Sequence, residues 1–163
     1  MKRQLTLVAL LALVAGSATA AGIDNPLTNI KSVTVTVDIY DNAKRAIPTL
    51  SEEELKNAAE FQLRNAKLRA TCGGANCDGI LTLSLDTLDE DDHSYVFVAT
   101  VKFQSLVIYQ IRATDAPKTV IATLWSRQFY GKLGKGIIRA TVVDDFDKLV
   151  KEFLNDYYAA NGR

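Results

Sequence analysis

The chain has 163 residues, 48% of them hydrophobic, with 19 basic and 19 acidic side chains and two cysteines. This length suits one domain of ordinary size with a real core. The even charge balance excludes the basic excess that marks nucleic-acid binders, so no nucleic-acid partner is expected.

Lys2 and Arg3 precede an apolar stretch from Leu5 to Val14, and Ala18, Thr19 and Ala20 supply a small-x-small cleavage pattern. Together they read as a secretory signal peptide over 1–20, leaving 21–163 as a single α+β domain. The apolar stretch falls short of the roughly 20 residues a permanent membrane helix needs. No cysteine follows the cut to carry a lipid, and no later run approaches spanning length, so no transmembrane segment is expected after cleavage. The expected location is outside the inner membrane, periplasmic or secreted.

Val33, Val35, Val37 and Ile39 alternate with Thr34, Thr36 and Asp38, a half-buried strand within Ser32–Tyr40. A loop with Pro48 follows. Ser51 stands three residues before Glu54, a capping-box start, and Leu55, Ala58, Ala59, Leu63 and Ala66 mark a helix from Ser51 to Arg69. Ile80–Leu88 alternates again. After the acidic turn Asp89–Asp92, Tyr95, Phe97, Ala99, Val101 and Phe103 share one face of a long strand, whose period slips near Gln104–Leu106. Val120–Tyr130 is a fourth strand, and Ile138, Val142, Phe146, Leu149, Phe153 and Tyr157 trace a final amphipathic helix. The predicted order is β-α-β-β-β-α. That is a two-layer α+β sandwich, a four-stranded, mostly antiparallel sheet with two helices on one face and a polar, wetted opposite face.

Cys72 and Cys77 enclose Gly73, Gly74, Ala75 and Asn76. In an oxidising compartment this pair is expected to close a disulfide. Free thiols, a redox pair or half of a metal site are the alternatives. Redox pairs usually enclose two residues, and a zinc site needs two further ligands that the single His93 does not supply.

The segments Leu50-Ser51-Glu52-Glu53-Glu54-Leu55, Gln62-Leu63-Arg64-Asn65-Ala66, Ala122-Thr123-Leu124-Trp125-Ser126, Phe153-Leu154-Asn155-Asp156-Tyr157 and Ala159-Ala160-Asn161 together resemble a family of small, uncharacterised bacterial proteins that carry a signal peptide. The resemblance is one of pattern. It implies no activity and carries over no functional residue, and the cysteine pair is an addition to the pattern.

Three features could carry chemistry. The turn Asp89–Asp92 with His93 has clustered carboxylates but neither the glycine nor the ligand spacing of a calcium loop, so no metal is expected there. Gly131-Lys132-Leu133-Gly134-Lys135-Gly136 leads toward the last helix. With Arg127, Lys132, Lys135 and Arg139 it forms a candidate anion site, although it lacks the Gly-Lys-Ser/Thr of a P-loop. Trp125, the lone tryptophan, is assigned to the core on the area an indole must hide, sharing its strand face with Ile121, Thr123 and Phe129. No nucleophile elbow is present, and His93 is the sole imidazole.

These readings converge on a non-enzymatic binding or accessory domain of the bacterial cell envelope, with an envelope protein or polymer as partner and no cofactor. An exposed sheet edge would also accommodate a homodimer. The alternatives are a carboxylate-based envelope hydrolase and a carrier of an anionic lipid or polysaccharide through residues 131–136.

Overall fold

The computed structural model describes residues 25–70, 72, 77–89, 94–110, 112, 114–134 and 136–162. The expected signal peptide, most of the acidic turn, His93 and Lys135 lie outside these described residues.

β1 (Val33–Ile39) is followed by α1 (Asp41–Ala46), α2 (Glu52–Asn65), β2 (Gly79–Asp89), β3 (Ser94–Tyr109), β4 (Lys118–Gly134) and α3 (Ile138–Ala160). The four strands lie side by side in chain order. β1 pairs parallel with β2 because α1 and α2 carry the chain back across the sheet. β2, β3 and β4 form an antiparallel meander. The fold is thus the expected α+β sandwich with one addition, the short α1. Its six residues are mostly polar and bury only Ala43, too little to stand out as a helical stripe.

Alternation in the strands sends Val35, Leu81, Phe103 and Trp125, and in the next row Leu83 and Val101, toward the helices. α2 and α3 answer with Leu55, Ala59 and Leu63 and with Val142, Phe146, Leu149 and Phe153. Phe153 is the hub, its ring 5.7 Å from Phe103 and 5.3 Å edge-on from Trp125. Trp125 is therefore core, 9% exposed, and its indole Nε1–H donates to Asp156 Oδ2 at 2.7 Å.

Ser51 caps α2 as its spacing with Glu54 foretold, its Oγ accepting from the Glu54 N–H at 3.0 Å. The helix stops four residues short of Arg69. Lys67 adopts φ 63°, and the Leu68 N–H reaches Leu63 O while the Lys67 N–H reaches Arg64 O. This is a Schellman closure with lysine where glycine is usual, sealed by burying Leu63 and Leu68 together. It turns the chain so that Arg69 runs parallel to Ser32.

The register slip falls at the expected step of β3, but the extra residue sits on β4. Phe103 faces Trp125 and Gln104 faces Thr123, so Leu124 is bulged. Beyond it, Thr123 and Ile121 point to the face opposite Trp125, because a one-residue shift inverts every side chain that follows. β4 also runs to Gly134, four residues beyond the expected end at Tyr130, so Gly131–Gly134 are strand residues. Gly131 pairs with Phe97, and a Cβ added there would sit 3.0 Å from that ring.

Candidate binding surfaces

Alternation along β4 separates the basic residues. Arg127 pairs with Val101 on the helix-covered face, whereas Lys132 pairs with Val96 on the open face. Arg127 reaches Asp156 at 3.5 Å and Glu152 at 3.8 Å, with its guanidinium 5.6 Å from the Trp125 ring centre. Arg139, in the first turn of α3, grips both carboxylate oxygens of Glu54 at 2.6 and 2.8 Å. The structure does not bring Arg127, Lys132 and Arg139 together, and the carboxylates facing Arg127 and Arg139 occupy donors an anion would need.

Cys72 and Cys77 are joined in a disulfide, as expected, with Cα atoms 5.7 Å apart. The bridge lies against Thr34 on the open face of β1. The Thr34 hydroxyl donates to Cys72 O at 3.0 Å and lies 2.8 Å from Cys77 Sγ. Next to it Asp78 fastens the start of β1. One carboxylate oxygen accepts from the Lys31 N–H, the Ser32 N–H and the Ser32 hydroxyl at 2.7, 2.8 and 3.0 Å. Burial favours the neutral acid, but these donors outweigh it and hold Asp78 below its ordinary pKa.

The middle of the open face is polar as expected, with Thr36 and Thr82 sharing a 2.9 Å hydroxyl contact. Its far end is not. β2 begins at Gly79, whereas β3 and β4 continue past it as a two-stranded ribbon formed by 105–109 and 118–122. On the open side of this ribbon Leu106, Ile108 and Ile121 are 67%, 72% and 64% exposed, and Ile80 adjoins them. A cleft of about 170 Å³ lined by Cys77, Ile80, Leu106 and Ile121 joins this apolar strip to the disulfide corner. Sequence reading missed the strip, since the same alternation describes a covered strand and a bare one.

A second concavity, about 310 Å³, lies between α2 and α3 over Leu83. Its floor is apolar, and Glu54, Asp144 and Asp147 stand at its mouth. Arg139 holds Glu54. Lys151 at 2.5 Å and the Gln62 amide at 2.6 Å hold the two oxygens of Asp147. Among the described residues no group of three or more His, Cys, Asp or Glu side chains is placed to hold a metal ion. No described helix is long and apolar enough to cross a membrane.

Neither a family model nor a curated protein matches the chain. Among solved structures, the crystal structure of a minor lipoprotein from Acinetobacter baumannii aligns over 80% of this chain and 94% of that one, with 12% identity and a TM-score of 0.33. A likeness at that level assigns neither fold nor function.

Proposed function

We propose that the chain is an exported, non-enzymatic binding module of the bacterial cell envelope that recruits a protein partner. The observation that carries this reading is the bare apolar strip Leu106, Ile108 and Ile121 on a ribbon that projects beyond the rest of the sheet. A lone two-stranded ribbon is marginally stable in water, and one with large aliphatic side chains exposed gains by being covered. The disulfide and the signal-like N-terminus support export. The test is the double variant L106D/I121D. The native chain is expected to capture a discrete envelope protein, and the variant to fold with an unchanged denaturation midpoint and to lose that association. Unchanged association would overturn the reading.

A carboxylate hydrolase has one observation in its favour, the cavity between α2 and α3 with three carboxylates at its mouth. Two of the three are committed to cations or an amide donor, which leaves Asp144 without the second carboxylate such chemistry uses. Purified protein is expected to leave sugar, ester and amide substrates intact. Turnover abolished by Asp144→Asn would establish the hydrolase instead.

A further inference from the structure

α2 and α3 lie together over the sheet, yet the side chains between them do not fill the space. Ala58 and Ala59 of α2 and Val143 and Val150 of α3 line the seam, above Leu83 of β2. These are short side chains, and the space they leave is the cavity of about 310 Å³. Protein interiors are ordinarily close-packed, and a concavity of roughly 300–1,000 Å³ with an apolar lining is the usual form of a small-ligand site.

The charges at its mouth do not cancel. Arg139 takes both oxygens of Glu54, and Lys151 pairs with Asp147. Among the described residues no hydrogen bond or ion pair reaches Asp144, the third carboxylate, which is exposed beside the cavity. One negative charge is left over. Gln62 lines the same cavity and adds an unmet acceptor. Its Nε2 donates to Asp147 Oδ1 at 2.6 Å, which fixes the orientation of the amide. The other end, Oε1, is buried and accepts no hydrogen bond. A buried acceptor without a donor is costly, so a group that brings an N–H to it is favoured.

We propose that this cavity binds a small amphipathic amine, one ammonium group on an apolar body. The ammonium pairs with Asp144 and donates an N–H to Gln62 Oε1, while the body lies against the alanines, valines and Leu83. An exposed ion pair is worth little alone, so burial of the body supplies the affinity and the charge supplies the selection. The three carboxylates oppose an anionic head, which gives the selection a repulsive arm. The cavity is on the helix-covered side of the sheet and the Leu106–Ile121 strip on the open side, and neither reading depends on the other.

The test is isothermal titration calorimetry of the purified protein with n-octylamine. Octanoate reverses the charge, n-octanol removes it, trimethyloctylammonium removes the N–H donors, and methylamine removes the apolar body. Octylamine is expected to bind at one site per chain, at least about fivefold more tightly than the first three controls. Its margin over methylamine is expected to be at least about a hundredfold. Asp144→Asn keeps the shape of the mouth and is expected to weaken octylamine about fivefold and to erase its preference over octanol. Ala58→Leu places a good helix former at an exposed position of α2 and fills the cavity. It is expected to abolish binding with the denaturation midpoint maintained, and it guards against a folding defect in the aspartate variant. No binding of octylamine would overturn the proposal. So would equal binding of octanoate, octanol or trimethyloctylammonium, or binding indifferent to either variant.

Discussion

β3 and β4 are each one continuous strand, yet their two halves live in different surroundings. On the near side of the Leu124 bulge, Phe97, Val101, Phe103 and Trp125 are buried beneath α3. On the far side, the helix-facing row carries Val107, Tyr109 and Val120, half-buried or exposed, and the open-face Leu106, Ile108 and Ile121 stand in solvent. The difference lies in what covers them. α3 and β2 serve the first half, and neither reaches the second. Hydrophobic patterning therefore states which side chains want cover, and topology decides which of them get it within the chain.

Unfolding measurements can break this contrast. Phe103→Ala opens a cavity against Phe153 and Gly79 and is expected to cost about 3–5 kcal/mol in urea denaturation. Ile108→Ala, a truncation of similar kind on the ribbon, is expected to stay within about 0.5 kcal/mol of the parent. Comparable losses at both sites would mean that the ribbon is packed in solution. Opening the disulfide with Cys72→Ser and Cys77→Ser together is expected to cost about 2 kcal/mol, because the closed loop is small. Trp125→Phe keeps most of the ring contact with Phe153 and loses the hydrogen bond to Asp156, a change of about 1 kcal/mol.

Asp78 sharpens the comparison from the covered side, because it ties β2 to the start of β1 just where the ribbon begins. Its pKa is lower folded than unfolded, so its contribution is present above the unfolded value and is lost as pH falls through the folded one. Asp78→Asn is expected to cost about 1 kcal/mol at neutral pH, the side chain being exposed, and nothing in strong acid. Denaturation midpoints of the two proteins across acid pH check this. A gap that persists below the folded pKa would assign the effect to shape rather than charge.

Much of the fold was legible because its elements are long and their periods clean. The Ser51 cap, the alternation of β1 and β2 and the stripe of α3 all read correctly. Lys67 hid the end of α2, since a left-handed lysine leaves no mark where glycine would have. The bulge was visible in β3 as a slipped period, but a slip has two partners. Only pairing shows that Leu124 carries it, and this one residue moves Ile121 from the company of Trp125 to the open face. The basic residues 127–139 looked convergent because adjacency in sequence hides the alternation that parts Arg127 from Lys132.

The central claim is that the far half of the β3–β4 ribbon is covered by another protein. A photo-crosslinking amino acid placed at Ile108 tests it most directly in living cells, with a second one at Gln128 on the open face of the near half as control. The account predicts a discrete heavier adduct at position 108 and none at 128. No adduct at 108, or the same adducts at both positions, would contradict it.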